Sequence, residues 1–135
     1  MILSPKHMAV LCLTFIILGV VAVWTLNGVL SVVSPVESEE DALEISKNST
    51  FVQRELAGAR KYNVEVEYLN ITEIAEFKEQ AADTGYYDSL PDDHGVWRVT
   101  WDFYPKEYVP FLVRIAHWID EETGEILLED CIVFR

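Results

Sequence analysis

Residues Met8 to Val36 run without a charged side chain, and all 23 acidic residues lie beyond them. A helix rises about 1.5 Å per residue, so about 20 apolar residues cross a hydrocarbon core of roughly 30 Å. Met8 to Leu26 reaches that length alone, with Thr14 and Thr25 able to bond back to helix carbonyls. The pattern predicts one transmembrane helix within residues 8–33, preceded by a short terminus at 1–7. Ser34-Pro35-Val36 breaks it and opens a linker at 34–38, because proline disfavours a helical residue before it.

Beyond the linker the period changes repeatedly. Ser38 before Glu39, Glu40 and Asp41 predicts a helix start: a hydroxyl cap, then acids near the positive helix end. Ala42, Leu43 and Ile45 give it a short apolar face, Asn48-Ser49-Thr50 interrupts, and Phe51, Val52 and Leu56 continue at helical spacing to about Arg60. Tyr62 to Ile71 alternates, with Val64, Val66 and Tyr68 on one face and Glu65 and Glu67 on the other, as in a half-buried strand. Thr72 is the expected cap of a helix over Glu73–Ala82, with Ile74, Phe77 and Ala81 in line. Turn-rich stretches follow at Asp83-Thr84-Gly85 and Leu90–Gly95. Then Trp97, Val99, Trp101 and Phe103 alternate with Arg98, Thr100 and Asp102, Pro105–Pro110 breaks the run, and Leu112–Ile119 resumes it. Asp120–Gly124 turns and Ile126–Phe134 closes. The expected class is α+β: after the membrane helix, one or two helices packed on an antiparallel sheet of about four strands, filling residues 39–135.

Charge adds orientation. Of the 10 basic residues only Lys6 lies in residues 1–33; the other 9 face 23 acidic residues, a net −14. That sign opposes the phosphates of nucleic acid and excludes a nucleic-acid reader. Lys6 and His7 precede the apolar run while Glu37, Glu39, Glu40 and Asp41 follow it. Basic flanks stay on the cytoplasmic side, so the N-terminus is expected in the cytoplasm and the acidic domain outside the cell, on a single-pass anchor. The apolar run exceeds the 7–15 residues of a secretory signal core, and no Ala-x-Ala site follows it, so the anchor is read as uncleaved.

Candidate chemistry is sparse. Cys12 lies in the anchor and Cys131 near the C-terminus, on opposite sides of the membrane boundary, where they cannot pair. Cys131 sits in an apolar strand and is expected to be a buried thiol. His7, His94 and His117 have no metal spacing, and Asp88, Asp92 and Asp93 lack the alternation of a calcium loop, so no metal or cofactor is expected. No G-x-S-x-G or glycine-rich phosphate loop occurs, and the expectation is that the protein is not an enzyme. Two glycosylation triplets, at Asn48 and Asn70, fall in the outer part. Tyr104, Lys106, Tyr108 and Phe111 mark an aromatic, proline-flanked loop, the candidate contact with a protein partner, since aromatics dominate binding hot spots.

Three segments resemble the PepSY family of small extracytoplasmic domains, as found in propeptides of thermolysin-type peptidases. Asp41–Lys47 is similar to its opening helix, Gly95-Val96-Trp97-Arg98-Val99-Thr100-Trp101 to its W-x-V strand, and Ile119–Leu127 to its V-D-x-x-T-G-x-(I/V) ending. In that ending Asp120 and Thr123 are expected to bond back to backbone, with Gly124 at positive φ. The resemblance spans about residues 39–130, with a longer middle than usual, and implies peptidase inhibition or chaperoning. The resulting expectation is a membrane-anchored, non-catalytic domain that binds or modulates another protein, by strand addition or loop insertion. The alternative is a structural subunit of a membrane complex or filament, a homo- or hetero-oligomer whose membrane helix packs through Thr14, Gly19, Thr25 and Gly28.

Overall fold

The computed structural model describes residues 34–105 and 111–134. The anchor read over residues 8–33 lies outside these, as do Lys106 and Tyr108 of the aromatic loop. Among the described residues no helix is long and apolar enough to cross a membrane.

Residues 35–135 form one compact unit. Its elements are α1 (Glu39–Lys47), α2 (Thr50–Gly58), β1 (Lys61–Leu69), α3 (Ile71–Gln80), β2 (Val96–Tyr104), β3 (Leu112–Asp120) and β4 (Ile126–Phe134). The strands form one antiparallel sheet in the order β1-β2-β3-β4, the α+β arrangement expected from the alternations.

Local chemistry sets the helix limits. Ser38 Oγ accepts from Asp41 N at 3.2 Å and caps α1; the chain breaks at Asn48, and Ser49 recaps α2 by accepting from Val52 N at 3.2 Å. The third helix begins two residues earlier than a Thr72 cap would allow. Asn70 Oδ1 accepts from Glu73 N at 3.0 Å, and Glu73 Oε2 accepts from Asn70 N at 2.8 Å. This reciprocal capping box satisfies two backbone donors together, which a Thr72 cap would not do.

Among the described residues three helices cover both faces of the sheet, where the sequence implied one or two on a single face. The register explains the division. Trp97, Val99, Trp101 and Phe103 share a face with Ile115, His117 and Ile119 of β3, and α1 and α2 pack there. On the opposite face Leu69, Val96, Trp118 and Leu128 form an apolar end, which Ile74 and Phe77 of α3 cover together with Tyr87 and Leu90. The stretch read as a linker is partly seated. Val36 is buried; its N–H donates to the Glu121 carbonyl at 2.7 Å and its carbonyl accepts from Trp97 Nε1 at 3.1 Å.

Both outer strands are more open than alternation implied. Val64 and Tyr68 are exposed and only Val66 of that trio is half-buried, because β1 is an edge. Cys131 is likewise exposed, correcting its reading as a buried thiol. It sits opposite Ile115 on the helix-covered face, yet β4 is the other edge, and α1 lies over β1 and β2 instead.

Candidate functional site

Three groupings of polar side chains emerge, and they differ in whether anything outside can reach them. The deepest joins residues far apart in sequence. Ser46 of α1 and His117 of β3 are both 0 % exposed. Ser46 Oγ lies 2.7 Å from His117 Nδ1 and accepts from Trp101 Nε1 at 2.7 Å; His117 Nε2 lies 2.6 Å from Glu129 Oε2. One assignment satisfies every member: the Ser46 hydroxyl donates to Nδ1, and Nε2–H donates to Glu129. Serine, histidine and a carboxylate in series are the ingredients of a hydrolase triad. Here the hydroxyl is sealed under α1 and already holds the indole N–H, leaving no side open for an acyl substrate. The network anchors α1 to the sheet.

The second grouping straps the β3–β4 turn. Asp120 Oδ1 accepts from Glu122 N at 2.8 Å and Thr123 N at 3.0 Å, Thr123 Oγ1 accepts from Glu125 N at 3.2 Å, and Gly124 has φ +71°. His94 Nε2 lies 2.9 Å from Asp120 Oδ2 and its Nδ1 2.7 Å from Asp93 Oδ1, so the loop before β2 is tied to this turn. Gly95 N donates to Glu121 Oε1 at 2.8 Å. A Cβ at Gly95 would overlap the Tyr68 ring, so only glycine permits that approach.

This strap titrates. The bond to Asp120 chiefly raises the His94 pKa above its ordinary 6.5; desolvation opposes this, and Asp93 and Glu122 support it. For Asp120, burial works to raise the pKa, but the bonds from His94 and the Glu122 and Thr123 N–H groups outweigh it and hold the carboxyl below its ordinary 3.8. The signs then follow from proton linkage. The His94 contribution is full below pH 6.5 and is lost as pH rises through its raised value; the Asp120 contribution is full above pH 3.8 and is lost as pH falls through its lowered value. Thermal melts of the full chain should show a plateau between these limits. His94→Gln should remove about 1 kcal/mol on that plateau and flatten the alkaline limb. An alkaline limb unchanged in the variant would refute the assignment.

The third grouping is the accessible one. Beyond the cover of α3, the polar face of the sheet forms an open trough of about 620 Å³. Its floor is Thr100 and Ala116, which lie side by side in one row with Glu65 at the β1 end and Asp130 at the β4 end. Arg114 grips Asp102 with two bonds of 2.7 and 2.9 Å. Arg98 pairs with Glu67 at 2.9 Å and lies over the Trp118 and Phe77 rings. Two buried donors there, Arg98 Nε and Trp118 Nε1, have no hydrogen-bond partner among the described residues.

The trough reaches from β1 across the sheet to Asp130 of β4, and the last residues of β4 are about half exposed on both faces, with the Arg114 guanidinium over the Phe134 ring. Ile132, Val133 and Phe134 are 49 %, 51 % and 43 % exposed, and Cys131 precedes them. No loop or helix backbone hydrogen-bonds to this strand among the described residues. The other edge is blunted in the usual way, by Lys61, Glu65 and Glu67. Tyr62 and Tyr104, both partly exposed, stand at the same end of the sheet as Phe134, the end to which the aromatic loop is attached.

Of the residues singled out from sequence, Asp120, Thr123 and Gly124 meet in the turn, and Tyr104 and Phe111 flank the loop. Asn48 and Asn70 are both exposed. The β4 edge and Asp130 were missed, although four uncharged residues closing the last strand were a usable signal. Comparison with family models, with characterised proteins and with solved structures finds no match to this chain. The PepSY resemblance therefore rests on its sequence motifs.

Proposed function

We propose that this is a membrane-anchored, non-catalytic binding domain that takes an extended segment of another protein as a fifth strand beside β4. The anchor at residues 8–33 and the charge asymmetry around it support a domain held outside the cell. The observation that carries the binding reading is the uncharged, two-sided exposure of Cys131–Phe134 on an edge strand. Such an edge presents unpaired N–H and carbonyl groups as a template, and strand addition uses them for affinity while alternate side chains supply specificity. Burial of Ser46 and His117 supports the non-catalytic part.

Charge selects the occupant. A second copy brought edge to edge would set one −14 domain against another, whereas a basic segment would meet complementary charge. The PepSY resemblance suggests a peptidase or a folding client as its source. The test uses the full chain in detergent micelles and two blocked nine-residue peptides. One alternates valine and lysine; the other has the same lysines with a central valine replaced by proline. The alternating peptide should bind at least about tenfold tighter, because the proline removes a ladder donor and disfavours the paired strand without changing charge. Equal affinities would show general electrostatic attraction and overturn strand addition.

A further inference from the structure

Asp130 is the charged residue that β4 contributes to the trough, with Leu128 and Ile132 before and after it on the same face. The trough's two arginines are already committed, Arg114 to Asp102 and Arg98 to Glu67. Asp130 therefore has no cationic partner among the described residues. Its neighbour across the ladder, Ala116, is too short to cover it, and Thr100 beyond is little longer. The result is a half-buried carboxylate at the β4 end of the open trough.

A strand paired outside β4 places one side chain directly opposite Asp130, with Cβ atoms about 5 Å apart. A lysine or arginine stem can lie along an apolar surface while its head reaches a charge. Leu128 and Ile132, on either side of Asp130 on the same face of β4, supply that surface. We propose that Asp130 is the specificity-determining residue of the edge: the residue opposite it in the docked segment is basic, and its charged head meets the Asp130 carboxylate at the β4 end of the trough. This rests on strand addition at β4 and names what that strand must carry. Burial pushes the Asp130 carboxyl above its ordinary range, and an incoming cation would reverse that cost.

The test separates this step from the reading beneath it. Two blocked nine-residue strand-forming peptides differ only at the centre, lysine in one and norleucine in the other, and each is titrated into the full-length chain and its Asp130→Asn variant. Glu39→Gln, a helix-surface change remote from the trough, controls for the loss of one negative charge. The lysine peptide should bind the native chain about tenfold tighter than the norleucine peptide. That preference should collapse towards parity in Asp130→Asn and persist in Glu39→Gln, while the norleucine peptide binds Asp130→Asn at least as tightly as the native chain. A preference that survives in Asp130→Asn, or equal binding of both peptides to the native chain, overturns the role of Asp130 while strand addition stands. Failure of both peptides to bind the native chain removes strand addition itself, and this inference with it.

Discussion

Trp101→Ala should remove about 3–5 kcal/mol of stability, a large share of the 5–15 kcal/mol typical of a small domain. Trp101 is 2 % exposed, stacks parallel to Phe103 with centroids 5.8 Å apart, and meets Tyr62 at 5.8 Å. It also holds α1 to the sheet through its bond to Ser46. Truncation therefore opens a cavity at the junction of β1, β2 and α1 and strips Ser46 of a donor. Urea denaturation of the full chain in micelles, followed by near-UV circular dichroism, measures the loss. Trp101→Phe keeps most of the area and should cost markedly less. A Trp101→Ala loss below about 1 kcal/mol would mean that the indole is not at the centre of this core.

Ser46→Ala comes second, at about 2–3 kcal/mol, although it deletes a single oxygen. The hydroxyl is both acceptor for Trp101 Nε1 and partner of His117 Nδ1, and all three groups are buried. Its loss leaves two buried polar atoms unmatched, and each such atom costs about 1–3 kcal/mol. Combining Ser46→Ala with Trp101→Phe should cost less than the sum of the two, because phenylalanine has no N–H left to strand. Strict additivity in that cycle would contradict a shared network.

The fold was legible where a local rule decides. Alternation of Trp97, Val99, Trp101 and Phe103 identified the covered face, and Val99, Trp101 and Phe103 are buried on it. The Asp120-Glu121-Glu122-Thr123-Gly124 stretch announced its own turn, since the bonding groups lie within three residues of one another. Asn70 and Thr72 are both competent caps, and the decision went to Asn70 because Glu73 stands three residues after it. Placement of α3 on the second face was written in Leu69, Val96, Trp118 and Leu128, apolar residues at positions otherwise given to polar ones.

What stayed hidden depends on tertiary neighbours. Alternation tells which way Cys131 points and says nothing about whether a helix reaches that far across the sheet. Ser46 and His117 are 71 residues apart, and no spacing rule links them. Asp130 looked like one acid among 23; only the sheet shows that both neighbouring arginines are already paired.

Amide hydrogen exchange, resolved by residue, tests the docking of an extended segment most directly. With the valine–lysine peptide bound to the full chain, the outward-pointing amides of Ile126–Phe134, those not bonded to β3, should slow by at least about tenfold while those of Lys61–Leu69 keep their rates. Protection at the Lys61–Leu69 edge instead, or no change in Ile126–Phe134 at saturating peptide, would contradict a fifth strand beside β4.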